Sequence, residues 1–256
     1  MDFEYSALSD VGRVRTNNED AVRVDRQHGI VVLADGMGGY NAGEIASAMA
    51  VEQVCSQLTS WLLSQAARAV TARDLRRAME ICVDNANRAI FEAAYANPDY
   101  AGMGTTLVMT VPLGSALLIG HVGDSRVYRW RAGALAQLTR DQSLLQEHID
   151  AGLITPEEAA ASSYRSLVTR ALGVEDTVLL DVQEVPLDPG DVFLLCSDGL
   201  TDMVTDDELA RALGEPGPLD TLSQRLVDMA NEGGGRDNVS VALIRASKTP
   251  KKSAPD

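Results

Sequence analysis

Five aspartates sit beside short apolar runs in this chain, and that recurrence limits what it can fold into more than any other feature. In residues 30–47, IVVLADGMGGYNAGEIAS, the run Ile30-Val31-Val32-Leu33-Ala34 stops at Asp35-Gly36. A glycine-rich turn follows, then a helix that starts near Gly43-Glu44. A β-branched run bounded by glycines reads as a buried strand, so its end delivers the Asp35 carboxylate to the rim of a sheet. Gly36, Gly38 and Gly39 let the backbone approach whatever Asp35 holds, and the Gly36 carbonyl becomes available as a ligand. Taken alone this is a common turn. The arrangement recurs, however, at Gly123-Asp124-Ser125-Arg126 after residues 116–120, and at Ser197-Asp198-Gly199 after residues 192–196. Asp237-Asn238 precedes the run at 239–244, and Asp20 precedes the alternating Ala21-Val22-Arg23-Val24. One such aspartate is a turn or a helix cap. Five suggest a shared site.

Composition excludes several alternatives. A formal net charge of −15 over 256 residues argues against nucleic acid or an anionic membrane surface as partner. All three lysines, Lys248, Lys251 and Lys252, lie at the C-terminal end, so the rest is more acidic still. Clustered carboxylates need something to offset their repulsion, which makes a cation site a natural use of part of that charge. Cys55, Cys82 and Cys196 are odd in number and widely spaced inside apolar segments; they read as buried small hydrophobes, not a disulfide frame or zinc site. No apolar span of 18 residues exists, and Met1-Asp2-Phe3-Glu4 is not a signal-peptide start. The expectation is a cytoplasmic protein, with monomer as the default state.

Strands are predicted over 3–10 and 20–34, the latter a hairpin around residues 25–29. Helices are predicted over 43–66 and over 71–96, the second with Thr71 as N-cap and Asp74 in its first turn. Strands at 105–111 and 115–122, then 127–130 and 135–138, form sequential hairpins, which argues against a doubly wound parallel sheet. Residues 141–172 break the strand pattern and read as an inserted flap, with a short helix opening at Thr155-Pro156-Glu157-Glu158. Strands at 178–185 and 191–196, helices at 205–214 and 218–232, and a strand at 238–245 complete the chain. Many antiparallel strands with helix pairs in two places imply an α+β layered sandwich. The domain is taken as residues 1–246 and the polar 247–256 as a disordered tail.

Ligands that are all oxygen select a hard cation such as magnesium or manganese. Two such ions sharing a carboxylate and a water would make that water a nucleophile near neutral pH and steady a transferring phosphoryl group. A guanidinium can bind phosphate bidentately, and Arg15 stands near Asp20 in sequence to do so. A nucleotide-binding reading of residues 36–43 fails for want of G-x-G-x-x-G. An aspartyl-nucleophile phosphatase would want Asp-x-Asp, where this chain has Asp35-Gly36-Met37.

At this point the residues resemble a family. Arg15…Asn18-Glu19-Asp20, Asp35-Gly36-Met37-Gly38-Gly39, Gly102-Met103-Gly104-Thr105-Thr106, Gly123-Asp124-Ser125-Arg126, Ser197-Asp198-Gly199 and Gly235-Arg236-Asp237-Asn238 occur in the order and spacing of the metal-dependent PP2C-type protein phosphatases, in particular the compact bacterial members. The match covers roughly residues 4–245. It implies a four-layer sandwich of two packed antiparallel sheets flanked by helix pairs, with the site at one end. It also implies hydrolysis of phosphoserine and phosphothreonine in proteins, using two manganese or magnesium ions. Asp35 would bridge them, Asp198 and Asp237 would complete the first, and the Gly36 carbonyl would serve the second, which Asp20 contacts through water. In bacterial relatives a third ion lies at the positions of Asp124 and Asp198. Arg15 would bind the substrate phosphate, and the counterpart would be a Hanks-type Ser/Thr kinase and its substrates.

The chain departs from the family where many bacterial members carry histidine and this chain has Tyr40, where eukaryotic members carry histidine and it has Met37, and where many relatives carry Asp-His-Ser or Asp-His-Thr and it has Asp141-Gln142-Ser143. The leaving-group acid is therefore a metal-bound water or Tyr40. His121, predicted inside a strand, reads as a satisfied core histidine; His28 falls in a turn and His148 in the flap. Arg126 and Arg236 read as braces for their loops, and Thr105 and Thr106 as strand packing near the site. The competing class is a PP2C-like fold kept as a regulatory binding module. That class predicts lost ligand positions, and none is lost here.

Overall fold

A computed structural model describes residues 1–39, 42–155, 158 and 167–249. The site-bearing runs form strands in two antiparallel sheets. One sheet has the order β1(Asp2–Asp10), β11(Val239–Ser247), β10(Val192–Cys196), β7(Arg126–Arg131), β8(Ala134–Gln137). The other runs β2(Asp20–Asp25), β3(Ile30–Met37), β5(Leu107–Leu113), β6(Ala116–Val122), β9(Asp181–Pro186), with the two-residue β4(Gly104–Thr105) pairing the end of β3.

The strand side chains alternate between layers, as a period of two requires. In β3, Ile30, Val32 and Ala34 face the helices α1(Ala42–Ser64) and α2(Ala72–Ala96), whereas Val31 and Leu33 face the second sheet. In β10, Phe193 and Leu195 enter the same inter-sheet core, while Val192, Leu194 and Cys196 pack under the helices on the other side. A strand buried on both faces has no polar positions to alternate with. That is why these runs are continuously apolar, and why the expected four-layer α+β sandwich is what forms.

Thr71 caps α2 reciprocally with Asp74, as expected. The second helix pair is α5(Asp206–Leu213), opened by a Thr205–Glu208 capping box, and α6(Leu219–Glu232), which packs on β1 and β11. One element went unforeseen: a single turn, α4(Asp198–Thr201), starts directly after β10. Asp198 therefore opens a helical turn instead of ending a strand. The signal was Ser197 as N-cap ahead of an acidic first-turn residue.

The flap expected over 141–172 lies between β8 and β9 and contains α3(Leu144–Asp150), capped by Ser143. Of the helix expected from Thr155, Glu158 is helical and exchanges cap bonds with Thr155 (2.8 and 3.2 Å); Pro156 and Glu157 lie outside the described residues. Residues 178–180 do not join a strand, and β9 starts at Asp181. The expected tail boundary moves as well. Ser247 is the last residue of β11, opposite Asp2, and Thr249 bonds the Asp2 carboxylate (2.9 Å); residues 250–256 lie outside the described residues. The three cysteines are buried thiols, as expected. Among the described residues no helix is long and apolar enough to cross a membrane.

Candidate active site

Asp20 opens β2 and stands directly opposite Asp35 in the β2–β3 ladder. Like charges so placed destabilise an antiparallel pair, so this register costs stability. The Asp35 backbone is fixed on both sides. Its N–H donates to Thr106 Oγ1 (3.0 Å), and its carbonyl accepts from Thr105 Oγ1 (2.8 Å) and the Thr106 N–H (2.9 Å). Thr106 Oγ1 also meets Ser125 Oγ (2.7 Å), next to Asp124. Thr105 and Thr106 thus do more than pack: they hold the Asp35 loop and tie it to the Asp124 loop. Their strand-like periodicity conceals this, because the bonds cross to residues some 70 positions away.

Gly36 is required by close approach. A Cβ there would lie 2.1 Å from the Gly43 carbonyl oxygen and 2.6 Å from that of Glu19. The start of α1 and the loop before β2 are thereby pressed against the Asp35-Gly36 turn.

The other sheet supplies Asp198 and Asp237. Ser197 does not cap α4 with its hydroxyl; it donates to Asp20 Oδ2 (2.8 Å) and accepts the Ser240 N–H (3.0 Å), joining the sheets. Asp237 uses both oxygens: Oδ1 accepts the Asn238 N–H and Oδ2 accepts from Arg15 Nη2, each at 2.8 Å. Arg15 therefore pairs with Asp237, not with the Asp20 beside it in sequence. Asn238, to which the sequence assigned no role, is the brace of this corner. It donates to the carbonyls of Val11 (3.0 Å) and Asn17 (2.8 Å) and accepts the Glu19 N–H (2.8 Å). Arg236, expected to brace here, is exposed.

Arg15, Asp35, Asp124, Asp198 and Asp237 open onto one cleft with Gly36 and with Glu19, a carboxylate the sequence reading passed over. Its volume of about 190 Å³ is room for roughly six waters at about 30 Å³ each. A phosphoryl group fits in that space. Asp20, opposite Asp35 in the ladder, is not among the residues that line it.

Burial, and then the charges of Asp20, Asp198, Asp124 and Asp237, push the Asp35 carboxyl well above its ordinary range. Asp198 is pushed up by burial and by Asp124, Asp202, Asp237 and Asp20. Burial followed by Asp141 raises Asp124 to about 7, and burial raises Asp20 to about 6 against the help of hydroxyls from Ser240 and Ser197.

Among the described residues no three His, Cys, Asp or Glu side chains form a ready-made ligand set. Asp237 has both of its oxygens engaged by other partners. The donor chemistry nevertheless fits a hard cation. All the groups are oxygens, their negative charges repel one another, and Asp20 Oδ1 is buried without a hydrogen-bond partner. A divalent ion suits the oxygen donors and would relieve both the repulsion and the unpartnered oxygen.

Met37 lines the cleft and, as expected, offers no acid; Tyr40 lies outside the described residues. His121 is buried, and burial lowers its pKa, but it is not satisfied: Nε2 has no hydrogen-bond partner. His28 pairs with Asp25 (2.7 Å) in the β2–β3 turn and His148 lies in α3, neither of them in the cleft. Arg126 braces its loop as expected, by a bidentate bond to Asp141.

Known proteins share this arrangement. The family model for protein phosphatase 2C matches residues 12–233. Protein phosphatase PhpP of Streptococcus pneumoniae is 38% identical over 245 residues, covering 94% of this chain and 97% of that protein. Serine/threonine protein phosphatase PstP of Mycobacterium tuberculosis is 41% identical over 242 residues, 94% of this chain but 44% of that longer protein. A crystal structure of M. tuberculosis PstP superposes with a TM-score of 0.85 at 38% identity, covering 97% of this chain and all of that one. A structure of the PstP catalytic domain with two manganese ions superposes at 0.84 with 37% identity over 96% of this chain and 99% of that one. With six motifs in order, two packed antiparallel sheets and aspartates from both of them on one cleft, the chain belongs to the protein phosphatase 2C family and is an enzyme of that type.

Proposed function

We propose that the chain hydrolyses phosphoserine and phosphothreonine in proteins, with manganese or magnesium ions held by Asp35, the Gly36 carbonyl, Asp198 and Asp237. Asp20 would steady the second ion, and Asp124 with Asp198 would serve a third. Such ions would supply an activated water near neutral pH and offset the charge of the phosphoryl group. The chain's own part is positioning. Arg15 exchanges its contact with Asp237 for the substrate phosphate, where its fork makes two charge-assisted bonds. The threonine pair keeps Asp35 at a fixed depth. The narrow cleft admits the phosphorylated side chain and leaves the peptide on the rim, next to the flap.

The observation that carries this reading is the convergence on one cleft of aspartates from both sheets, with raised pKa values for Asp35, Asp124 and Asp198. We take the catalytic unit as residues 1–247, one residue past the boundary expected from the sequence, because Ser247 closes β11. Its counterpart is placed in the cytoplasm: a Hanks-type Ser/Thr kinase and that kinase's substrates, on which this chain acts as a monomer.

The test is hydrolysis of a phosphothreonine peptide with manganese, with EDTA, and by Asp35→Asn and Asp198→Asn. Turnover should need the metal and fall in both variants by more than the roughly 10–100-fold that follows loss of an outer-shell partner. A folded wild-type protein that hydrolyses nothing across a range of manganese and magnesium would instead mark a regulatory binding module.

A further inference from the structure

The flap is clamped at its base by a short ladder. The Leu144 N–H donates to the Leu167 carbonyl (2.9 Å), Ser143 bridges Val168, and the Thr169 N–H donates to the Gln142 carbonyl (2.8 Å). Val168, on the returning limb, lines the cleft. That limb is also fixed from behind, since Leu172 and Thr105 exchange backbone bonds (2.8 and 3.0 Å) and the Gly173 N–H donates to Asn87 Oδ1 (2.7 Å).

Gln142 makes three more bonds. Its N–H donates to the Gly123 carbonyl (2.8 Å), its Oε1 accepts the Gly123 N–H (2.8 Å), and its Nε2 donates to Asp181 Oδ2 of β9 (2.7 Å). Both backbone groups of the residue before Asp124 are thus taken by one side chain and its own backbone. Gly123 has φ of +102°, and a Cβ there would lie 2.7 Å from Thr106 Cγ2. Only glycine fits, and glycine is the residue least able to hold its own conformation. The amide of Gln142 does that for it.

We propose that Gln142 is a positioning residue that sets the Asp124 loop and the base of the flap together, with Asp181 as its anchor. A flap limb that shifts at Thr169 moves Gln142, and Gln142 cannot move without releasing Gly123. Loss of the amide leaves the buried Gly123 N–H unpaired, a state the loop relieves only by displacing Asp124. The kinetic part of this inference rests on the phosphatase reading. The conformational part does not.

The experiment uses the full chain and three variants: Gln142→Leu, Gln142→Glu, and Gln142→Glu combined with Asp181→Asn. The second keeps an acceptor for Gly123 but opposes Asp181 with a like charge, and the third reverses donor and acceptor. Amide hydrogen exchange is read at residues 123–125 and 167–169, with strand 192–196 as internal control. The manganese concentration for half-maximal hydrolysis of a phosphothreonine peptide is read beside it.

In Gln142→Leu, exchange should rise at both segments and not in the control strand. Half-saturating manganese should rise about tenfold, the scale of a lost outer-shell partner, with kcat at saturating metal falling less. Gln142→Glu should lie in the same direction, and the double variant should return both readouts towards wild type. Unchanged exchange at 123–125, a uniform rise that includes 192–196, or failure of the double variant to restore it would overturn the proposal. If the wild type hydrolyses nothing, the phosphatase reading falls, and exchange still decides this one.

Discussion

Of two arginine–aspartate pairs, Arg15–Asp237 lines the cleft and Arg126–Asp141 braces the loop of Asp124 outside it, and they are built differently. Arg126 meets Asp141 through Nε (2.9 Å) and Nη2 (2.6 Å) and turns Nη1 to the Tyr128 hydroxyl (3.0 Å), with side chains 27% and 12% exposed. Burial works against the charge on Arg126, but Asp141 outweighs it and holds the pKa above the ordinary arginine value. Arg15 meets Asp237 through one nitrogen, and both side chains are far more open, at 49% and 36%. The closed pair has spent its donors on the fold, whereas the open pair keeps donors facing the cleft. The two partners lie at very different distances along the chain, 222 positions for Arg15 and 15 for Arg126, and what separates the pairs in space is how many donors remain.

The largest effect should come from opening the closed pair. Arg126→Leu strands a mostly buried Asp141, at a cost of about 2–3 kcal/mol once partial exposure is allowed for. For a chain of this size that lowers Tm by roughly 4–12 °C. Adding Asp141→Leu should recover much of it; a double variant no better than the single would show that Arg126 acts through packing, not through its partner.

Arg15→Ala should reverse the pattern. An exposed pair contributes about 0–1 kcal/mol, so Tm should hardly move. KM for a phosphothreonine peptide should rise about tenfold or more, because a hydrogen bond to a charged group is worth about 1.5–3 kcal/mol. A Tm loss as large as that of Arg126→Leu with unchanged KM would erase the distinction drawn here.

A pH effect follows from the raised carboxylates of Asp20 and Asp124. Burial pushes Asp20 up to about 6 and Asp124 up to about 7, above the value of about 3.9 for a free aspartate. The fold therefore binds more protons than the unfolded chain between those values, and stability is lost as pH rises through 6 and 7. EDTA-treated protein should melt several degrees lower at pH 8 than at pH 5, and manganese should close the gap. A Tm that climbs with pH over this window would contradict a cleft strained by its own charge.

The least change is expected from Tyr40→Phe. If metal-bound water is the leaving-group acid, phosphopeptide turnover should be nearly intact. A marked loss on phosphopeptide, with none on p-nitrophenyl phosphate, whose leaving group needs no proton, would transfer that role to Tyr40.

Much of the molecule was legible before folding. The runs at 30–34 and 192–196 announce strands buried on both faces, because each is apolar at odd and even positions alike. Thr71 and Asp74 announce the start of α2 through local chemistry. The aspartates announce the site because their sequence neighbours place them at the ends of these elements. The short α4 was readable in principle from Ser197-Asp198, but the apolar run before it drew the whole segment into a strand-end pattern.

What the sequence by itself determined, then, was the layering of the sheets and the identity of the carboxylates, since both follow from periodicity and from near-neighbour chemistry. Only the tertiary structure decided that Arg15 turns to Asp237 across 222 positions and not to Asp20 beside it. Only there does Ser197 reach Asp20, Asn238 hold the loop before β2, and Gln142 close on Gly123. These bonds depend on where two sheets meet, and a side chain with several near-equal partners is assigned to one of them by that meeting alone.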